Sequence, residues 1–314
     1  MKKRKQPALE VNIGGLKLKN PVMVASGTFG SCDEYASYID YDSLGAFVTK
    51  TITKLPRSGN KPPRIYETAS GMLNSVGLQN EGLDEFVNVK LKKLASLKTN
   101  LIVSVGGGRA DDYVDIIREL NRHKNVSAIE LNISCPNIEY NNCIIAQDPV
   151  LTRELVKKAR SETFLPLIVK LSPNVRDIVE IAQAAKDGGA DAVSLINTLL
   201  GMAIDVEKRA SILGNITGGL SGPAIKPVAL RMVWQVRQKV GLPIIGMGGI
   251  MCARDAIEFI IAGSSAVAVG TANFITPGVS LDIIKGISDY LSRHEIADIN
   301  DLIGSLNEAK TLSL

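Results

Sequence analysis

The sequence is short of several things, and each shortage removes a class of function. Aromatic residues are 4% of its 314 positions, too few for the stacked-ring platforms that hold single-stranded nucleic acid. Histidine occurs twice, at His123 and His294, both in helical contexts away from any strand end, so histidine acid–base chemistry is not expected. The four cysteines, Cys32, Cys135, Cys143 and Cys252, lie apart without CxxC spacing. That spacing excludes a structural zinc or iron–sulfur cage and fits reduced thiols in a cytoplasmic protein. No run approaches the ~20 apolar residues of a membrane span, and no GxGxxG fingerprint opens a βαβ unit. The basic opening Met1-Lys2-Lys3-Arg4-Lys5 reads as a solvated terminus, with a nucleic-acid or lipid-headgroup contact as the alternative; Gln6-Pro7-Ala8-Leu9-Glu10 breaks it before any apolar run, so no secretory signal is expected. A net charge of +4, from 36 basic and 32 acidic residues, gives no footprint for a nucleic-acid partner. No metal site and no membrane partner are expected.

What is present is a chain with 45% hydrophobic residues and 28 glycines, long enough to bury a full core as one domain. Short β-branched apolar runs alternate with amphipathic stretches, the pattern of repeated βα units. Eight such runs occur, at 21–25, 46–50, 101–105, 128–133, 167–171, 192–196, 243–247 and 266–270. Helical stretches between them include 85–97, 112–122, 150–161, 176–186, 223–240 and 253–262. The expectation is one α/β domain over 1–314, a (β/α)8 TIM barrel whose closure removes both sheet edges. Its ends, about 1–8 and 308–314, are expected to be mobile, after a last helix beginning near Ile296. Val11-Asn12-Ile13 and Leu16-Lys17-Leu18 flank Gly14-Gly15 and predict an N-terminal β-hairpin capping the barrel bottom. Two βα connections, about 51–82 and 197–222, are long, and long structured loops on the C-terminal face of a barrel are usually functional.

The chemically interesting residues fall at strand ends, which a barrel brings to one rim. Gly248-Gly249 and Gly270-Thr271 follow the seventh and eighth runs, where glycines let backbone N–H groups approach a phosphate and a following helix adds its positive end. The alternative is tight turns only. The bound group would be a substrate phosphate or that of flavin mononucleotide (FMN). Lys50 and Lys170 each end an apolar run. A buried ammonium needs an anion, which a reduced flavin or a substrate carboxylate would supply. Otherwise each lysine snorkels to the rim. In Asn132-Ile133-Ser134-Cys135-Pro136-Asn137, asparagine can read an amide edge without bringing charge, and Cys135 is either a general base or a small buried hydrophobe. Cys143 is its fallback, and Cys32 and Cys252 read as packing at helix starts. Asn74-Ser75-Val76-Gly77-Leu78 in the first long loop and Asn197-Thr198 after the sixth run complete a mouth suited to a flat, uncharged, amide-bearing ring.

With these residues placed, the sequence resembles the dihydroorotate dehydrogenases over nearly its whole length. The resemblance rests on NPVMVASGTFG (20–30), GAFVTKTIT (45–53), NSVGLQNEG (74–82), NISCPN (132–137), VKLSPN (169–174), INTLLGMAID (196–205), GGLSGPAIKP (218–227), GMGGI (246–250) and VAVGTANF (267–274). The stretches around Gln79-Asn80 and 199–205 look most like the NAD-linked class IB catalytic subunit, and a cysteine rather than serine at 135 points away from the membrane-bound, quinone-linked class. The resemblance implies FMN contacts from Ser26, Lys50, Thr51, Ser104, Asn132, Lys170, Ile196, Gly222, Gly248, Gly249, Gly270 and Thr271. It implies substrate contacts from Lys50, Asn74, Ser75, Val76, Gly77, Leu78, Asn132, Asn197 and Thr198, with Cys135 and Lys50 as the catalytic pair. It further implies oxidation of dihydroorotate to orotate, a homodimer, and a heterotetramer with an electron-transfer subunit carrying FAD and an iron–sulfur cluster. Rival expectations are a fumarate-linked or dihydropyrimidine-type dehydrogenase and a non-redox phosphate-binding barrel. Two departures stand out. Ser104 replaces a frequent asparagine, so its flavin contact should be weaker or water-mediated. The segment after Asn137 reads Ile138-Glu139-Tyr140-Asn141-Asn142-Cys143 and lacks the usual glycine.

Overall fold

A computed structural model describes residues 6–30, 34–133, 139–140 and 143–309. Its first elements are the expected hairpin, β1 (Val11–Ile13) antiparallel to β2 (Leu16–Leu18), turning on Gly14 and Gly15. Both glycines have positive φ, and a Cβ on Gly14 would lie 2.5 Å from that of Asp191. Alternate residues of each strand are buried, as a half-covered pleat requires.

The barrel then begins with β3 (Val22–Val24) and β4 (Ala46–Val48). The first long connection carries β5 (Ile65–Thr68) and β6 (Gly71–Asn74). It leads into α1 (Gly82–Glu85), a π-helical turn (Phe86–Lys90) and α2 (Leu91–Leu94). This helix starts three residues before the predicted one because the Asn80 carboxamide oxygen accepts the Gly82 N–H at 2.9 Å. Next come β7 (Asn100–Val105), α3 (Ala110–Leu120) and β8 (Ala128–Asn132). A two-residue ladder follows, β9 (Glu139–Tyr140) with β10 (Cys143–Ile144). Then α4 (Pro149–Arg160) opens on Asp148, whose carboxylate accepts the N–H groups of Val150 and Leu151, with proline at the first helical position; both are strong N-terminal signals.

After β11 (Leu167–Lys170), α5 (Ile178–Asp187) and β12 (Ala192–Leu195), the second long connection carries β13 (Leu199–Met202), a small ladder of β14 (Ile204–Asp205) with β15 (Ala210–Ser211), and β16 (Thr217–Ser221). The chain ends through α6 (Lys226–Lys239), β17 (Ile244–Met247), α7 (Ala253–Ala262), β18 (Ala266–Val269), a short α8 (Ala272–Ile275) and α9 (Val279–Arg293). The last helix is therefore α9, upstream of the predicted one. Among the described residues beyond Ile296 there is only a 3-10 turn (Ile299–Leu302), started by Asp298 and followed by Gly304 at φ 71. Ala8, placed among the mobile residues by the sequence reading, is tied down by a bridge to Asp298 and by its N–H to Ala297 O at 2.8 Å.

The eight predicted runs close into one parallel barrel in the order β11-β12-β17-β18-β3-β4-β7-β8. Their residues are buried on both faces because helices cover the outside, the expected condition of a parallel sheet. The two long connections also pair with each other. They form a four-stranded antiparallel sheet, β13-β16-β6-β5, joined where Gly219 faces Asn74. Sequence periodicity gave no sign of this second sheet.

Candidate active site

The C-terminal ends of the barrel strands and the second sheet enclose a cavity of about 520 Å³. Ser26 follows β3, Lys50 and Thr51 follow β4, Asn132 ends β8, Lys170 ends β11, and Ile196, Asn197 and Thr198 follow β12; all line it. Gly248 and Gly249 line it after β17, and Gly270 and Thr271 after β18. The long connections contribute Asn74, Ser75, Val76, Gly77, Leu78 and Gly222. Two predicted residues stand apart. Cys135 lies outside the described residues, as do Asn137 and Cys32. Ser104 is fully buried beneath the cavity and reaches it only through Thr51, by a 3.0 Å hydroxyl contact.

One end of the cavity is made of backbone. Gly222, Gly248 and Gly249 all have positive φ (94°, 123° and 75°), and a Cβ on Gly249 would lie 2.7 Å from Lys226 Cβ and 2.8 Å from Gly222 O. Only glycine fits there. Thr271 closes this end by donating to Ser221 Oγ at 2.8 Å. The start of α7, whose positive end the sequence reading directs at an anion, carries an acid of its own. Asp255 accepts the N–H of Met251 at 2.8 Å and of Cys252 at 3.2 Å, and pairs with Lys226 at 2.6 Å. Burial of Asp255 raises its pKa, but Lys226, the Met251 N–H and the Cys252 thiol outweigh it and hold the carboxyl below its ordinary range. Cys252 does stand at the helix start, as its N-cap.

The other end is polar and ordered. Lys170 is 5% exposed. Lys50 is half-buried, and burial pushes its ammonium below the ordinary lysine range while Glu81 pulls it partly back. Asn132 donates from Nδ2 to Thr51 Oγ1 at 3.1 Å, and Asn197 donates to Asn132 Oδ1 at 3.5 Å. Asn197 is itself oriented by accepting the Thr198 N–H at 2.8 Å. Asn74 donates across the second sheet to Gly219 O at 3.3 Å.

Several residues that shape the site were not singled out in the sequence. Asn80 is buried and makes four bonds: it accepts the N–H groups of Thr53 and Gly82, and donates to Thr53 Oγ1 and Leu78 O. It fixes the loop that carries Ser75 to Leu78. Asn174 donates to Thr198 O and accepts the Leu200 N–H, holding the start of the second long loop. Asn80 and Asn174 sit inside the quoted motifs, but nothing local marks them as loop ties. Glu130, 3% exposed, is a carboxylate inside the barrel. Its signal was available: a lone acid in the otherwise apolar run Ala128-Ile129-Glu130-Leu131.

Comparison with known proteins agrees with this geometry. The family model described as Dihydroorotate dehydrogenase matches residues 8–291. A relative from Alkaliphilus metalliredigens, "Dihydroorotate dehydrogenase B (NAD(+)), catalytic subunit", is 54% identical over 298 residues, 95% of this chain and 98% of its own. A relative of the same name from Geotalea daltonii is 52% identical over 301 residues, covering 96% and 99%. The crystal structure of DHODH from Eimeria tenella, in complex with ferulenol, superposes with a TM-score of 0.81 at 26% identity, over 97% of this chain and 90% of that one. The chain belongs to the dihydroorotate dehydrogenase family.

Proposed function

We propose that this chain is the catalytic subunit of an NAD-linked dihydroorotate dehydrogenase, oxidising (S)-dihydroorotate to orotate in pyrimidine biosynthesis with FMN in the barrel mouth. The observation that carries the reading is one cavity with two different ends. A glycine cradle that admits no Cβ suits a phosphate, and a polar end with two cationic side chains and three asparagines suits a flavin ring stacked on an acidic pyrimidine. The residues present fit FMN: Gly222, Gly248, Gly249, Gly270 and Thr271 would hold its phosphate, and Ser26, Thr51, Asn132, Lys170 and Ile196 its ring system.

Converting dihydroorotate to orotate removes one hydrogen as a proton and one as hydride, and bound FMN supplies the hydride acceptor. The protein's own residues do the rest. Asn74, Asn132 and Asn197 bind the amide edges of the pyrimidine, and Ser75 to Leu78 with Thr198 shape its pocket. Lys50 pairs with the substrate carboxylate. Cys135, two residues past the described end of this rim, takes the proton from substrate carbon 5. Lys170 places positive charge beside the ring that becomes electron-rich, a preorganised electrostatic contribution. Among the described residues no group of histidine, cysteine or acid side chains is placed to hold a metal, and no helix is long and apolar enough to cross a membrane. The relatives' name, a catalytic subunit of an NAD(+) enzyme, supports a partner subunit, which would carry FAD and an iron–sulfur cluster and pass the electrons on to NAD. We place the chain in the cytoplasm, as one barrel domain in a homodimer that joins the partner as a heterotetramer.

The test is the visible spectrum of the purified chain, before and after anaerobic addition of dihydroorotate. Flavin bands that bleach support cofactor, substrate and redox role together. Bands that persist reject the substrate. Failure to bind added FMN at all rejects the central claim.

A further inference from the structure

The polar floor of the cavity has a direction. Glu130 accepts from Ser104 Oγ at 3.1 Å and from Ser194 Oγ at 3.0 Å, one hydroxyl on each carboxylate oxygen. Ser194 belongs to β12, which does not neighbour β8, so the Glu130 side chain crosses the barrel interior. Both serines are fully buried. A serine hydroxyl carries one proton, and Ser104 gives its own to Glu130. In the 3.0 Å contact between Ser104 and Thr51, the proton therefore belongs to Thr51. With that proton committed, Thr51 can only accept from its other two neighbours, Asn132 Nδ2 at 3.1 Å and Ser26 Oγ at 3.2 Å. Ser26 thus turns its proton inward and its lone pairs to the cavity. Asn132, tied through Nδ2, points Oδ1 at Asn197. Every bond in the chain runs towards one carboxylate.

We propose that Glu130 is a positioning residue: acting through Ser104 and Thr51, it sets which atoms of the floor donate and which accept. Ser26 is fixed as an acceptor for a ligand ring N–H, and the carboxamides of Asn132 and Asn197 are locked in one orientation. The proposal rests on the reading of this cavity as the flavin and pyrimidine site. Without an acceptor at position 130, the Ser104 proton turns to Thr51, the Thr51 proton turns to Ser26, and Ser26 presents a donor where the ligand also has one.

The experiment uses the full chain and two ligands: FMN, by fluorescence quenching on the apoprotein, and orotate, by perturbation of the bound flavin spectrum. Glu130→Met removes both acceptor oxygens at similar volume. Ser104→Ala cuts the same route one step later. Each variant should weaken both ligands by about fivefold or more, and the double variant should bind no worse than the weaker single one, since coupled sites do not add. Ser194→Ala, on the far oxygen, should keep orotate affinity within about twofold while lowering the melting temperature, as a buried hydrogen bond is lost. A purely structural Glu130 would move melting temperature and leave affinities alone. Wild-type affinities in Glu130→Met, losses that multiply in the double variant, or an equal loss in Ser194→Ala would each overturn the relay. If Glu130→Met fails to fold, Ser104→Ala alone decides, and unchanged affinities there overturn it. A wild-type chain that binds neither FMN nor orotate rejects the functional reading first, and the relay with it.

Discussion

Replacing Lys50 with methionine keeps its stem against the cavity wall and removes only the charge. Lys50 is half-buried, and its ammonium is held below the ordinary lysine range chiefly by burial. On the proposed reading a bound carboxylate would repay that desolvation, and a hydrogen bond between charged partners in such a place contributes about 1.5–3 kcal/mol. At ~1.4 kcal/mol per tenfold, Lys50→Met should weaken orotate by roughly 10- to 150-fold. The assay is titration of the flavin visible spectrum with orotate and, in parallel, with uracil, which lacks the carboxylate. Uracil should bind the two proteins alike.

The pH dependence has a definite sign. In the free protein the Lys50 pKa is lowered, and the bound carboxylate raises it again. Below the free-state pKa both states are protonated and orotate affinity is flat. Between the free and bound values, binding takes up a proton, so affinity falls with rising pH, by up to about tenfold per unit. Uracil should lack this alkaline arm, and so should orotate with Lys50→Met. Equal losses for both ligands, or an unchanged orotate affinity, would refute the pairing and move the reading towards a substrate without a carboxylate.

Three further outcomes are expected. Gly249→Ala forces a Cβ into a left-handed backbone at φ 75° and against Lys226 and Gly222. The conformation alone costs about 1–2 kcal/mol, so FMN retention measured by ultrafiltration should fall at least tenfold or so. Cys135→Ala should retain FMN but lose most of its anaerobic flavin reduction by dihydroorotate; reduction near the wild-type rate across pH would reject cysteine as the base. Asn80→Ala leaves the buried N–H groups of Thr53 and Gly82 without their acceptor. Each unpaired group costs about 1–3 kcal/mol, and an unshifted denaturant midpoint would contradict that accounting.

The barrel was legible because its strands are short apolar runs, most of them set apart by amphipathic helices, a purely local signal. The second sheet was not. Its defining pair joins Asn74 to Gly219, 145 residues apart, and Ile65–Thr68 exposes three of its four residues. No hydrophobic alternation could mark such a strand, and no local rule could choose its partner. Most of the candidate site was legible from strand ends, since the barrel itself brings them together. Ser104 shows where that logic stops. The sequence suggests a weaker or water-mediated contact to the flavin, and the structure adds that its hydroxyl bonds Glu130 and Thr51 beneath the cavity. Position along a strand predicts the level of a residue in the barrel, but not which neighbour takes its proton. The occupied end of α7 is a similar case. The capping acid sits only a few residues past Gly249, but its pairing with Lys226 is a tertiary fact.

The second sheet also bears on why the two long connections occur together. A barrel rim alone is an open, solvated mouth, where Lys50 would keep its hydration and an ordinary pKa. The residues that cover it come from both connections, Asn74 to Leu78 from one and Thr198 and Gly219 from the other, and neither could form a stable sheet by itself. Their pairing lets each complete the other's hydrogen bonds, through the β6–β16 ladder and the Asn74 side chain. On the proposed reading, the cover takes water away from Lys50, and that desolvation would make its charge discriminate between an acidic and a neutral ring. Gly219 is pinned at the junction, since a Cβ there would lie 2.1 Å from Thr198 Oγ1. A side chain at 219 would therefore displace Thr198 within the second connection, at the point where β16 meets β6. On this argument Gly219→Val should weaken orotate and, by rehydrating Lys50, move the alkaline arm of its binding profile to higher pH. A loss of affinity with the arm unmoved would show that cover and charge are independent.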